Sequence, residues 1–150
     1  MQIEFIKMQG CGDDAVLLGA GRILPNEGLD FPALARCMLD RNRGVGGNSL
    51  NLLVPGAPRG IGIRSFDAKG DEGRPSCNAL RCAAKYASDS GAVSENQFLV
   101  DTSAGPVLLQ IIDSSNVRVD MGVPLTLAQD AEIKEKPDAS FTRDLLVEGV

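Results

Sequence analysis

No histidine occurs among the 150 residues of the sequence. A Ser-His-Asp triad, a Cys-His pair and a histidine general base are therefore excluded within this chain. Any side chain that transfers a proton in catalysis must be Asp, Glu, Lys, Tyr or Cys. The four cysteines lack the Cys-x-x-Cys spacing of structural zinc sites, so neither a metal centre nor a disulfide scaffold is expected.

Grouped basic residues and long apolar runs are missing as well. The chain has 20 acidic and 15 basic residues, a formal net charge of −5, and its Lys and Arg residues are scattered. Nucleic-acid binding, which depends on grouped cations, is not expected. No apolar run approaches the length of a membrane span and the amino terminus lacks a secretion signal, so we expect a cytoplasmic protein without membrane contact.

The composition, with 43% hydrophobic and 23% charged residues, is typical of one soluble domain or of one half of a two-lobed protein. Short apolar or alternating runs predict strands, and residues 10–14 are expected to form the loop between the first two. The predicted strands cover residues 2–8, 15–18, 50–54, 61–66, 97–101, 106–112 and 116–121.

Two helices are predicted among these strands. The first follows Asp30 as N-cap, has Pro32 in its first turn and ends near Asn42. The second covers residues 77–90, with Gly91 in the position after the helix that favours glycine. Consecutive strands after it favour an α+β fold over a parallel βαβ array. Its inward stripe is small, which predicts a helix embedded in sheet: Leu80, Ala83, Ala84 and Ala87.

A series of short motifs follows these elements along the chain. They are Lys-Met-Gln-Gly-Cys-Gly-Asp-Asp at 7–14, Asp-Arg-Asn-Arg-Gly-Val-Gly at 40–46, Phe-Asp-Ala-Lys-Gly-Asp-Glu at 66–72, Ser-Cys-Asn-Ala-Leu-Arg-Cys-Ala-Ala-Lys-Tyr at 76–86, Thr-Ser-Ala-Gly at 102–105 and Val-Asp-Met-Gly-Val-Pro at 119–124. In this order and spacing they resemble the motifs of the diaminopimelate epimerase family.

The resemblance implies a fold of two similar lobes, each an antiparallel barrel-like sheet around a central helix. Residues 1–124 are expected to form the amino-terminal lobe, and residues 125–150 a connection toward a second lobe that the chain lacks. The implied activity is that of an isomerase of lysine biosynthesis, an epimerase or racemase that acts on an amino acid without a cofactor. Because the family's two catalytic cysteines lie in different lobes, the resemblance implies a partner: a second lobe in trans or a homodimer.

The family's catalytic cysteine position is occupied by Ser76 in this sequence. A serine hydroxyl is a much weaker acid than a thiol, and serine before a helix is a preferred N-cap, so Ser76 is a catalytic candidate or a helix cap. Cys77 is the second catalytic candidate, because a helix amino terminus favours negative charge, or it is an ordinary cysteine at a helix start. One helical step rotates a side chain by about 100°, which turns Cys77 away from the direction of Ser76. Cys82 is expected to be a packed core thiol.

The same resemblance implies substrate-binding roles for Asp13, Ser49, Asp67, Cys77 and Asn78. Asp13 and Asp67 stand where the family has Asn, so groups that donate hydrogen bonds are replaced by carboxylates that only accept. They would repel a substrate carboxylate and attract an ammonium, or they are solvated loop residues. Asn78 is retained at a helix start that favours a carboxylate, and Cys77 replaces a glycine there.

Two functions therefore stay open. The lobe is half of an amino-acid isomerase, or it is a non-catalytic binding or interaction module that kept the fold and lost the chemistry. A lone lobe would expose its cleft-facing surface, so an oligomer is expected in both cases.

Overall fold

The computed structural model describes residues 3–19, 28–56 and 60–123, and the predicted connection at 125–150 lies outside them. Met1–Asp120 form one compact unit and Met121–Val150 a second. Within the described ranges, the elements of the first unit are β1 (Phe5–Gly10), β2 (Asp13–Leu18), α1 (Phe31–Leu39), β3 (Ser49–Gly56), β4 (Gly60–Phe66), β5 (Glu72–Gly73), α2 (Cys77–Asp89), β6 (Gln97–Thr102), β7 (Gly105–Ile111) and β8 (Val117–Asp120).

All these strands belong to one curled sheet in the order β1-β2-β3-β4-β6-β7-β8, with β5 paired to β4. Neighbouring strands are antiparallel except where β3 lies beside β2 and β6 beside β4. A helix precedes each parallel partner, α1 before β3 and α2 before β6, because parallel neighbours require a crossover connection. The α+β class is confirmed, and the sheet is mixed rather than antiparallel throughout.

Helix α2 lies against the inner face of the sheet. Its predicted inward stripe is buried throughout, and alanine side chains let the strands approach the helix closely. The core around α2 draws on β2, β3, β4, β6 and β7, through Leu17, Leu53, Ile61, Ile63, Val100 and Leu109. The prediction of a helix embedded in sheet is therefore confirmed.

Helix α1 covers the opposite face of β2 and β3. Phe31, Ala35 and Leu39 pack against alternate strand residues, among them Leu50 and Leu52. Because side chains alternate along a strand, the residues of β3 that alternate with Leu50 and Leu52, such as Leu53, face α2 instead. Neither described helix is long and apolar enough to cross a membrane.

The amino-terminal cap of α1 is as predicted, but its end is not. Asp30 accepts a hydrogen bond from the first turn, whereas the helix ends at Leu39 instead of near Asn42. Asp40 takes an extended conformation, and its carboxylate accepts from the backbone N–H groups of Asn42 and Arg43. Such local side-chain bonding competes with helix continuation.

Replacing Leu80 with Ala should destabilise the fold, because Leu80 is 1% exposed in the core around α2. We expect a loss of about 2–5 kcal/mol in the free energy of unfolding, measured by urea titration with circular dichroism. Leu99 on β6 is 57% exposed, so Leu99→Ala is the matched control and should change stability by less than about 0.5 kcal/mol. Equal losses for the two variants would contradict the described core.

Candidate functional site

A cleft of about 280 Å³ opens at the amino terminus of α2. Four of the residues predicted for the site, Asp13, Ser49, Asp67 and Ser76, meet around it although they come from separate segments of the chain. The residues that line this cleft are Asp13, Asn48, Ser49, Ser65, Phe66, Asp67, Asp71, Glu72, Gly73, Arg74 and Ser76.

Ser76 holds the start of α2. Its backbone is extended and its Oγ accepts a hydrogen bond from the backbone N–H of Ala79 at 3.0 Å, so the predicted N-cap is confirmed. The same hydroxyl donates to Oδ2 of Asp13 at 2.8 Å. Although the chain lacks histidine, the Ser76 hydroxyl therefore has a proton acceptor, and that acceptor is a carboxylate.

The hairpin of β1 and β2 brings Asp13 to the cleft. Its turn consists of Cys11 and Gly12, whose φ angles of 54° and 83° suit the twist of a two-residue hairpin turn. The loop is shorter than the predicted 10–14 because β2 already begins at Asp13. Oδ1 of Asp13 accepts from Nδ2 of Asn48 at 2.7 Å, so each carboxylate oxygen is held by one donor.

A second carboxylate, Asp14, is paired with two cations beside this one. Its oxygens accept from the Arg41 guanidinium at 2.8 and 2.9 Å, and Lys7 Nζ lies 3.3 Å from Oδ2. Arg41, with a smaller contribution from Lys7, lowers the pKa of Asp14 to about 2. Arg41 also donates to Oδ1 of Asn48 at 2.8 Å. This bond orients the Asn48 amide so that its nitrogen points at Asp13.

Asp67 uses its carboxylate to order its own turn. Oδ1 accepts from the backbone N–H groups of Asp71 at 2.9 Å and Lys69 at 2.8 Å, and these bonds lower the pKa of Asp67. Gly70 in this turn has a φ of 86°, and an added Cβ would lie 2.6 Å from the carbonyl oxygen of Pro32 in α1. The turn is therefore ordered and closely packed against α1, although the Asp67 side chain itself is exposed.

Ser49 and Ser65 lie on neighbouring strands and line the cleft. Oγ of Ser49 accepts a hydrogen bond from Nδ2 of Asn51 at 2.9 Å. Ser65 is buried, with 6% of its surface exposed. Together the two hydroxyls give the cleft a neutral polar region between its acidic residues.

The other predicted residues lie away from the cleft lining. Asn78 accepts from Nη1 of Arg81 at 2.7 Å, and the half-buried Cys77 is not among the described residues that line the cleft. Cys82 is 4% exposed and burial, followed by the charge of Asp13, raises its pKa, so the expected core thiol is confirmed.

Sequence reasoning missed several residues of the cleft. Asn48 lies between a glycine pair and an apolar strand, a position that gives no periodic signal for a binding role. Glu72 is fixed by Arg64, whose Nε lies 2.7 Å from Oε1. Across the described ranges, no group of three or more Cys, Asp or Glu side chains could hold a metal ion.

The family model described as diaminopimelate epimerase matches residues 5–127 of the chain. The chain belongs to the diaminopimelate epimerase family. A relative named diaminopimelate epimerase from Desulforudis audaxviator is 43% identical over 126 residues, which cover 81% of this chain and 44% of the relative. One from Desulfitobacterium hafniense is 34% identical over 151 residues, 98% of this chain and 53% of the relative. The chain thus spans about half the length of the curated relatives it matches.

Solved structures agree with this family at the level of the fold. A hydroxyproline epimerase from Agrobacterium vitis, determined with bound trans-4-hydroxy-L-proline, matches with a TM-score of 0.58 at 17% identity, over 78% of this chain and 40% of that one. A phenazine biosynthesis protein of the PhzF family from Bacillus anthracis matches with a TM-score of 0.53 at 15% identity, over 78% and 38%. All the motifs that resemble this family lie within residues 5–127, the region of the family match. The resemblance is therefore confirmed.

Replacing Asp14 with Asn should change the pH dependence of stability. The pKa of Asp14 is about 2 in the folded protein, below its value in an unfolded chain. A lowered pKa stabilises the folded state above the unfolded pKa, and this stabilisation is lost as the pH falls through the folded pKa. We therefore expect Asp14→Asn to be less stable than the parent at pH 6, with the difference shrinking between about pH 4 and pH 2.

Urea unfolding at a series of pH values measures this difference. Asp89→Asn is the control, because Asp89 belongs to an exposed i,i+4 pair with Lys85, and such pairs contribute little. A destabilisation by Asp14→Asn that stays constant down to pH 2 would show that the carboxylate charge is not what matters there.

Proposed function

We propose that this lobe supplies one half of the active site of a cofactor-independent amino-acid epimerase or racemase. The observation that carries the proposal is the hydrogen bond from Ser76 to Asp13 at the start of α2. It lies inside a lobe that matches the diaminopimelate epimerase family over residues 5–127. Ser76 occupies the position that the family resemblance gives to a catalytic thiol.

An enzyme that inverts an α-carbon removes the proton from one face and returns a proton to the other. In the proposed step, Ser76 Oγ takes the α-proton while its own proton passes to Oδ2 of Asp13, 2.8 Å away. The electron pair of the C–H bond stays on the substrate, and Asp13 becomes neutral, so no free serine alkoxide forms. The positive end of the α2 dipole stabilises the developing negative charge.

Substrate binding in this proposal uses both charges of an amino acid. The carboxylates of Asp13 and Asp67 attract the ammonium, while the backbone N–H groups of Cys77 and Asn78 at the start of α2 attract the carboxylate. Ser49 contacts the remainder of the ligand. Cys77 is the alternative proton carrier, since its thiol lies one residue inside the same helix start.

One lobe acts on one face of the substrate, so a second lobe must supply the opposite acid or base. We propose that residues 1–124 form the lobe and residues 125–150 lead toward the second one. That second lobe is a separate polypeptide, a second copy of this chain, or further residues of a longer protein. In this proposal the protein works in the cytoplasm on an amino-acid-like molecule, without nucleic-acid or membrane partners.

A non-catalytic binding module is the second candidate. The Ser76 hydroxyl already accepts from Ala79 and donates to Asp13, and both bonds also serve to cap and position a helix. In that case the lobe would bind an amino-acid-like ligand or a partner chain without proton transfer.

Proton exchange in D₂O tests the proposed function. The protein is incubated with LL-diaminopimelate and with a panel of other L-amino acids, and loss of the α-proton signal is followed by NMR. A single proton carrier works on one face, so we expect exchange with retention of configuration from this lobe alone and inversion once a second lobe is present. Ligand binding with no exchange above buffer would favour the binding module.

Replacing Asp13 with Asn should lower the exchange rate by about 100-fold, because an amide of the same shape cannot accept the proton. Asp71→Asn is the matched control, since Asp71 also lines the cleft but it is Asp13 that accepts the hydrogen bond from the Ser76 hydroxyl. Ser76→Cys, which restores the thiol of the family pattern, should raise the rate above that of the parent. If Asp13→Asn exchanged as fast as the parent, the relay through Asp13 would be wrong.

A further inference from the structure

Three polar side chains lie side by side on the inner face of the sheet. Ser49 and Asn51 are two positions apart on β3, and Asn51 is paired with Ser65 of β4. The next residues on the same face, Leu53 and Ile63, belong to the apolar core around α2. We call Ser49, Asn51 and Ser65 the polar trio. It replaces the apolar core at the end of the sheet that borders the cleft.

Asn51 and Ser65 of the polar trio are buried, Ser49 is half-buried, and one buried polar atom among them has no partner. Asn51 is 0% exposed and Ser65 is 6% exposed. Nδ2 of Asn51 donates to Ser49, whereas Oδ1 of Asn51 has no hydrogen-bond partner. Ser65 lines the cleft, and within the part of the chain that the structure describes no hydrogen bond occupies its hydroxyl. Buried polar groups without partners cost free energy and are rare in folded proteins.

Packing alone does not account for the polar trio, because apolar side chains of similar size would fill these positions without that cost. Ser49 and Ser65 line the cleft, so their hydroxyls are within reach of a bound molecule. Asn51 is not among the described lining residues, and its amide N–H occupies a lone pair of Ser49 Oγ. The hydroxyl proton of Ser49 is therefore left to donate to a ligand.

We infer that Ser49 and Ser65 form a subsite for a neutral hydroxyl or carboxamide group on the side chain of the ligand, with Asn51 as a positioning residue. The inference rests on the proposed function, because it takes the ligand to be an amino acid. Ser65 has both donor and acceptor capacity free, and Ser49 has its donor free. A hydroxyl or a carboxamide both donates and accepts, whereas a carboxylate only accepts and an ammonium only donates.

The charges around the cleft favour the same ligand class. Asp13, Asp67 and Asp71 line the cleft together with Glu72, which is paired with Arg64, and Arg74 is the cationic side chain among the described lining residues. A side-chain carboxylate on the ligand would enter a region of negative potential. A side-chain ammonium would be drawn to the acidic residues and away from the neutral polar trio.

Calorimetric titration with ligands of matched shape tests this inference. The first set is L-asparagine, L-leucine and L-aspartate, whose side chains share one shape, and the second set is L-threonine and L-valine. The third set, L-glutamine and L-glutamate, has a longer side chain. We expect the neutral polar member of each set to bind at least about tenfold more tightly than its apolar or carboxylate counterpart. The reason is that the counterpart leaves buried polar groups of the site unpaired.

Variants show whether the polar trio causes the preference. The preference is the dissociation constant of the apolar or carboxylate ligand divided by that of the neutral polar ligand of the same shape. Ser49→Ala and Ser65→Ala should each lower this ratio toward unity. Ser94→Ala, at an exposed serine beyond the far end of α2, should not. Asn51→Leu should lower the ratio too, yet keep or raise the melting temperature, because it removes the unpartnered amide oxygen. A ratio of dissociation constants is unaffected by any loss of folded protein.

The outcomes separate this inference from the proposed function. Binding of all the amino acids with no preference, or an unchanged preference in both serine variants, would overturn the subsite and leave the proposed function standing. Binding of none of them, with LL-diaminopimelate included, would overturn both.

Discussion

The close packing of α2 against the sheet sets the position of the Ser76 hydroxyl at the cleft. Its inward face presents Ala83, Ala84 and Ala87, whose methyl groups allow the strands to approach the helix backbone. This approach fixes where the helix begins, and therefore where the Ser76 hydroxyl lies. The 2.8 Å contact with Asp13 joins residues 63 positions apart in the chain, so it exists only because helix and hairpin pack on a common core.

Two adjacent carboxylates on β2 show how the fold distributes charge. The cations Arg41 and Lys7 pair with Asp14, which lowers the pKa of Asp14 and ties the connection between α1 and β3 to β2 through Arg41. Asp13, facing the cleft, receives its hydrogen bonds from the neutral side chains Ser76 and Asn48 instead. Its negative charge therefore stays available to a ligand, while its geometry is as well defined as that of its neighbour.

Local signals in the sequence predicted much of this fold. Capping residues marked the starts of both helices, Gly91 follows α2 with a φ of 73° as expected, and the alanine stripe predicted how α2 is buried. The end of α1 was predicted wrongly because Asp40 makes bonds to its own backbone that periodicity does not reveal. The parallel strand pairs were not foreseen, since the motifs gave the order of elements but not the crossovers.

The candidate site was predictable only as a set of residues. The family motifs identified Asp13 and Ser76 as site residues. Their contact, and the position of Asn48 between Asp13 and Arg41, depend on tertiary distances that the spacing of residues in the sequence does not contain. The polar trio was predicted only in part. Ser49 was expected to contact the substrate, whereas Asn51 and Ser65 belong to no motif, and only strand register shows that Asn51 and Ser65 are paired beside Ser49.

The turn that carries Asp67 has a mechanical consequence. Gly70 leaves no room between this turn and the carbonyl of Pro32, and Arg36 of α1 donates to the carbonyl of Lys69 at 3.4 Å. A wall of the cleft is thus braced from behind by the outer helix. Any ligand that needed this wall to swing outward would have to move α1 with it. We therefore expect this side of the cleft to keep its shape when a ligand binds.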